Sequence, residues 1–241
     1  NYLLPSDLSY LQRNGGGINN VSSRLTLVGC IFTSNSAVSG GGMYSNGGTV
    51  SLTNCRFSKN TSGFGGGLFN NNSSVVMVNC ALTGNLAVRE GYIHQGGAMF
   101  NWESIVDMTN CVFSGNAAVR TSGWFTYGGA IYNTKDEQPL HVTIVNCTFS
   151  GNSATRGGGI YGSGRDVLAL NNCILWGNVA EQGTVQEAQI YRTPPVVNHS
   201  CVQGWTGDWE GTGIVGADPL FVRSPNDGGD GWGIGDNDDF G

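Results

Sequence analysis

A Cys stands at positions 30, 55, 80, 111, 147, 173 and 201, and an Asn follows the first six at a constant distance, at 35, 60, 85, 116, 152 and 178. Between them, two residues after each Cys, lies a bulky apolar residue: Phe32, Phe57, Leu82, Phe113, Phe149 and Leu175. Once per period a glycine-rich corner leads into an apolar–aromatic pair, as in Met43-Tyr44, Leu68-Phe69, Met99-Phe100, Ile131-Tyr132 and Ile160-Tyr161, and Ile190-Tyr191 closes the series. A period running from about residue 15 to about residue 205 leaves no place for a domain boundary, so the chain reads as one elongated repeat domain. Residues 1–14 read as a cap over the first coil, 15–205 as the coils, and 206–241 as a C-terminal cap with an acidic, Gly/Asp-rich tail.

Within each period apolar residues alternate at spacing two, as in Val50 and Leu52 or Val142 and Ile144, which is the pattern of half-buried strands. Before each Cys the step lengthens to three residues, so Thr53 and Asn54, and their equivalents, turn a corner. Each period then holds about three short strands and has no room for a helix. Parallel strands joined without helical crossovers must wind as a coil, each strand pairing with its equivalent one turn later. The expected fold is therefore all-β: a single-domain parallel β-helix, or β-solenoid, of about seven coils. At about 4.8 Å per coil it is a rod of roughly 35 Å.

Stacked coils set like residues above one another, so the Cys, Phe/Leu, Val/Leu and Ile/Met columns become internal files. The Asn column is expected to bond from coil to coil and to close a turn. The Gly-Gly corners mark positive φ or close backbone approach. Seven Cys, one per coil at an inward position, read as free, buried thiols, because parallel side-chain vectors suit a disulfide badly.

Composition narrows the function classes. A net charge of −6 and no basic stripe argue against nucleic acid. No run of 18 apolar residues is present to enter a membrane. Charged residues make up 12%, about half the usual share, which leaves Ser, Thr, Asn and Gly to cover the surface. The chain begins without Met, inside motif-like sequence, and reads as a processed product or a piece of something longer.

Gly128-Gly129-Ala130-Ile131 and Gly96-Gly97-Ala98-Met99, together with Phe32 to Asn35, Phe57 to Asn60, Phe113 to Asn116 and Phe149 to Asn152, resemble the repeats of the polymorphic outer-membrane-protein type. The resemblance covers roughly residues 15–222. It implies a right-handed parallel β-helix in an exported, extracellular or surface-associated protein, often adhesive or structural. It carries no catalytic residue.

Insertions break the period on one side. Asn85 to Gly96 and Asn116 to Gly128 are six and seven residues longer than the five-residue link of Asn35 to Gly40. They leave the same corner of adjacent coils and are expected to touch. They bring Tyr92 and His94 from one, and Trp124 and Tyr127 from the other, either as a sugar-gripping surface or simply as packed aromatic residues. The aromatic column Tyr44, Phe69, Phe100, Tyr132, Tyr161 and Tyr191 is the other candidate binding surface, if alternation places it outside. The alternative is that the corner glycines shift the phase and bury the rings.

A lyase or hydrolase needs clustered carboxylates. The outward columns hold none, and Glu90, Glu103 and Asp107 are the only grouping on neighbouring stretches. From Asp208 onward lie eight of the seventeen acids. Asp227, Asp230, Asp236 and Asp238, separated by glycines, form either a weak candidate Ca²⁺ site or a solvated tail. The expectation is a non-enzymatic extracellular structural or adhesive module. It would bind itself, end to end or laterally, since both ends should be strand edges, or a surface glycan. The competing class is a polysaccharide-binding or polysaccharide-degrading β-helix using the corner insertions.

Overall fold

The computed structural model describes residues 14–88, 94–119, 121, 125–135, 141–162, 167–181 and 183–221. Its strands form four sheets in which every pairing is parallel and every neighbour is the equivalent strand one coil away. The first sheet stacks Ile18–Val21, Met43–Asn46, Leu68–Asn71, Met99–Trp102, Ile131–Thr134, Ile160–Tyr161 and Ile190–Tyr191. The second runs from Arg24–Val28 to Val196–Asn198, and the third from Ile31–Thr33 to Cys201–Val202, each with seven strands. The seven expected coils are present.

The expectation of three strands per coil is corrected to four. After the Asn column comes a fourth sheet of two-residue strands: Thr61–Ser62, Leu86–Ala87, Ala117–Ala118, Ser153–Ala154 and Val179–Ala180. Such short strands show no alternation in sequence, which is why periodicity passes over them. Single parallel bridges then link Asn14, Ser39, Phe64, Gln95, Tyr127 and Arg156 from coil to coil, just before the glycine corner.

The corners explain the invariant spacings. The residue before each Cys takes a left-handed backbone: Gly29, Asn54, Asn79, Asn110, Asn146 and Asn172 all have φ of 53–64°, a region Asn and Gly tolerate best. At the Gly-Gly corner, Gly96 has φ +67°, and a Cβ on Gly97 would lie 2.1 Å from the Gly129 carbonyl oxygen of the next coil.

One file-built core fills the interior. Val50, Leu52, Val75, Met77, Val106, Met108, Val142, Ile144, Leu168 and Leu170 come from the second sheet, and Phe57, Leu82, Phe113, Phe149 and Leu175 from the third. Phe32 stacks on Phe57 at 4.6 Å, and Phe113 on Phe149 at 4.7 Å.

The six repeat asparagines form a buried ladder. From Asn60 onward each Oδ1 accepts from both the backbone N–H and the Nδ2 of the preceding Asn, as Asn116 does from Asn85 at 2.9 and 3.0 Å. Each Nδ2 from Asn60 onward also donates to a third-sheet carbonyl of the preceding coil, as Asn116 does to Leu82 at 2.9 Å. A second internal ladder, not anticipated from sequence, joins Asn70, Asn101 and Asn133 in the first sheet at 2.9 and 2.8 Å. Its signal was a polar residue two positions after the Ile/Met/Leu column.

All seven thiols are free, but Cys201 does not belong to the inward column. Ile174 pairs with Cys201, and Ser200 takes the Cys position, its Oγ accepting from the Cys173 N–H at 3.0 Å. The seventh Cys is thus displaced by one residue and turned to the other face, as one step of register requires.

The link after Asn178 holds a helix, against the expectation that no helix fits. Helix α1, Val185–Gln189, is opened by a capping box in which Thr184 and Glu187 bond reciprocally. The expectation of a free strand edge is also corrected at the C-terminal end, while residues 1–13, the expected N-terminal cap, lie outside the described residues. Val196 and Cys201 bridge onward to Glu210 and Val215, and Trp205, Trp209 and Ile214 pack on the last coil of the core, so this end is covered.

Candidate functional site

Alternation decides where the aromatic column lies. In Met43–Asn46, Met43 is fully buried in the core while Tyr44, on the opposite face of the strand, is half-buried and outside the core cluster. Met99, Ile131 and Ile160 likewise lie in the core, while Phe100, Tyr132 and Tyr161 on the opposite face stand outside the core cluster, Tyr132 half-buried and Phe100 and Tyr161 buried. The glycines do not shift the phase. The rings lie on the outer face of the first sheet, yet they are not a freely exposed stripe.

They cover one another. Parallel register sets each ring over the next, giving centroid distances of 5.2 Å for Tyr44–Phe69, 4.7 Å for Phe69–Phe100, 5.0 Å for Phe100–Tyr132, 5.2 Å for Tyr132–Tyr161 and 5.6 Å for Tyr161–Tyr191. The bridge column flanks them. Phe64 tilts against Phe100, and Tyr127 lies 4.7 Å from Tyr161 and 6.2 Å from Tyr132. Phe100, enclosed on both sides and touched by Trp102, is only 2% exposed. Tyr44, Tyr132 and Tyr191 keep part of their surface open.

Two cations join this face at its C-terminal end. Arg192 donates from Nη1 to the Tyr161 hydroxyl at 3.1 Å. Arg156 lies over the Phe125 ring at 4.4 Å and near the Tyr191 ring at 5.7 Å, both within cation–π range. Burial pushes the Tyr127 and Tyr132 phenols up, while the Arg156 charge pulls Tyr127 back. The Tyr161 contact holds Arg192 more firmly in its charged form. The phenols are therefore neutral hydrogen-bonding groups at physiological pH.

The two insertions meet at their described ends, as expected: the Tyr127 N–H donates to the His94 carbonyl at 3.1 Å, and Gln95 bridges to Tyr127. His94, however, is fully buried, its Nδ1 2.6 Å from the Val119 carbonyl oxygen. As a link between the two insertions it is removed from any surface site, which corrects its place among the ligand-gripping candidates. Tyr92 and Trp124 lie outside the described residues, as do Asp227, Asp230, Asp236 and Asp238. Of the candidates, the fold brings together Tyr44, Phe69, Phe100, Tyr132, Tyr161, Tyr191 and Tyr127. Sequence reading missed Arg156 and Arg192, which lie one residue before a corner glycine and one after the last ring of the column.

Among the described residues no group of three His, Cys, Asp or Glu side chains could hold a metal ion. No helix among them is long and apolar enough to cross a membrane. Cys111 and Cys173 are poor nucleophiles: a hydrogen bond with Cys147 lifts Cys111 to about 12, and burial lifts Cys173 to about 11.

A sequence profile described as the right handed beta helix region matches residues 6–174. The chain belongs to the right-handed β-helix family. No curated protein and no solved structure matches it. The family match covers the coils that carry Tyr44 to Tyr161, so the outer aromatic face is a feature of this β-helix rather than of an appended segment.

Proposed function

We propose that this β-helix is a non-catalytic, extracellular or surface-displayed adhesive module that holds polysaccharide on its outer aromatic face. The carrying observation is the ring column itself, continuous through six coils, with three half-open tyrosines and the Arg156 and Arg192 guanidiniums at one end. The open edges of the half-exposed rings give a sugar an apolar strip, while phenol and guanidinium groups bond to its hydroxyls or acidic substituents. Coil repetition along one axis suits a repeating polymer better than a compact ligand. The covered C-terminal end favours a module acting as a single rod over one that stacks end to end.

Co-sedimentation with insoluble polysaccharides tests this. Wild-type protein is expected in the pellet, and the double variant Tyr132→Ala/Tyr191→Ala in the supernatant. A lyase or hydrolase would instead release new sugar ends from the same polymers, and the adhesive reading expects none.

A further inference from the structure

The corner between the first and second sheets carries a groove that the aromatic face does not include. Its volume is about 440 Å³, within the range of small-ligand sites, and it crosses four successive coils. The cause is one missing side chain. The left-handed corner position is Ser22 (φ 48°), Gly47 (φ 67°), Asn72 (φ 45°) and Glu103 (φ 49°) in turn, so Gly47 leaves a notch between neighbours that have side chains. A Cβ at Gly47 would find its nearest atom, Ser22 Oγ, 3.5 Å away, which is ordinary contact distance.

The backbone here is already satisfied. The Gly47 N–H donates to the Asn71 carbonyl, the Thr49 N–H to Ser23 and the Ser74 N–H to Gly48, at 2.9, 3.2 and 2.9 Å. What the groove offers a ligand is therefore side chains: Arg24 in the first coil, Asn72 midway, and Glu103 with the half-exposed Ile105 in the fourth. Arg24 supplies donors, Glu103 acceptors and Asn72 both, while Ile105 offers an apolar wall. Opposite charges at the two ends leave the groove balanced, which favours a neutral ligand rich in hydroxyls over a polyanion. A drug-like apolar ligand would need a mainly hydrophobic lining. Three coil steps of about 4.8 Å span about 14 Å, the length of a short run of sugar rings.

We propose that this groove is a second carbohydrate subsite, taking a neutral oligosaccharide segment, and that Trp102 links it to the aromatic face. Trp102 is exposed by 42%, immediately precedes Glu103, and lies 6.2 Å edge-on from Phe100. The ligand class rests on the glycan reading of the aromatic face; the position of the site does not.

The test is Gly47→Asn, which fills the notch with the residue that the next coil already carries in the same backbone conformation, alongside Glu103→Gln. Linear tetrasaccharides of glucose, mannose and N-acetylglucosamine, each β-1,4-linked, are titrated by NMR into wild type and both variants, with tetragalacturonate as the charged control. At least one neutral tetrasaccharide should bind wild type with shift changes at Ser23, Gly48 and Ser74, and bind Gly47→Asn and Glu103→Gln more weakly, Gly47→Asn by about tenfold or more, a loss of about 1.4 kcal/mol. Equal binding by wild type and Gly47→Asn, no binding of any neutral tetrasaccharide, or a preference for tetragalacturonate each overturns the subsite. Polysaccharide co-sedimentation that still depends on Tyr132 and Tyr191 would then leave the aromatic-face reading standing.

Discussion

Asn178 donates from Nδ2 to Gln189 Oε1 at 2.7 Å, so a glutamine from helix α1 closes the asparagine ladder at its C-terminal end. Gln189 in turn donates to the Asn178 and Val185 carbonyls at 3.3 and 3.2 Å. The helix is thus the terminator of an internal polar file, supplying the acceptor that the seventh coil, which has no ladder asparagine, does not provide.

Breaking this file should be costly in proportion to how many groups are orphaned. Asn116→Ala strands the Asn85 N–H and takes one bond each from Asn85 Nδ2, the Leu82 carbonyl and Asn152 Oδ1. With each unsatisfied buried group costing about 1–3 kcal/mol, we expect a loss of about 3 kcal/mol or more in urea unfolding. Gln189→Leu should cost about 2 kcal/mol, and Asn35→Ala, at the half-buried start of the ladder, about 1 kcal/mol.

The thiol column makes stability sensitive to alkali. Cys111 and Cys173 are held as neutral thiols, raised from 9.0 to about 12 and about 11, so the folded state keeps protons that the unfolded chain releases. The stabilisation is complete below pH 9 and is lost as pH rises toward 11–12. Unfolding midpoints should therefore be flat from pH 7 to 8.5 and fall steadily above 9.

The same column should tolerate serine. Ser200 already serves at this position, donating to the Asn198 carbonyl at 2.7 Å while accepting from Cys173. Cys147 does equivalent work, its Sγ donating to the Val145 carbonyl and accepting from the Cys111 N–H. Cys147→Ser should cost under about 1.5 kcal/mol, whereas Cys147→Val, which removes both bonds, should cost more.

Stability and binding should separate along the aromatic column. Phe100, enclosed by Phe64, Phe69, Trp102 and Tyr132, should cost about 3 kcal/mol or more on truncation to Ala. Tyr191, half-open at the end of the stack, should cost less than half of that in thermal unfolding.

The coil number, the inward files, the Asn ladder and the Gly corners were legible because stacking makes each a once-per-period constraint on residue type. What escaped was local or displaced. The fourth sheet is two residues long, and only the small residues Ser62, Ala87, Ala118 and Ala154 betray it. Cys201 satisfied the cysteine pattern by type but not by register, and the alignment of Asn198-His199-Ser200 with Asn171-Asn172-Cys173 was the better guide. Thr184 and Glu187 spelled a capping box that went unread in the link after Asn178, where no helix was expected. For the binding face, alternation allowed the rings to lie outside or, after a phase shift at the glycines, inside; the flanking bridge column that half-covers them, and the arginines at its end, depend on how coils overlap in space.

The most direct test of the account is calorimetric titration of a soluble polysaccharide into the full chain, compared with Tyr132→Ala/Tyr191→Ala and Arg192→Gln variants whose unfolding midpoints show an intact fold. The account predicts binding by wild type, loss of about tenfold or more in affinity for the tyrosine double variant, and a smaller loss for Arg192→Gln. Undiminished binding by the folded tyrosine variant would contradict it, because the outer ring column would then be packing alone.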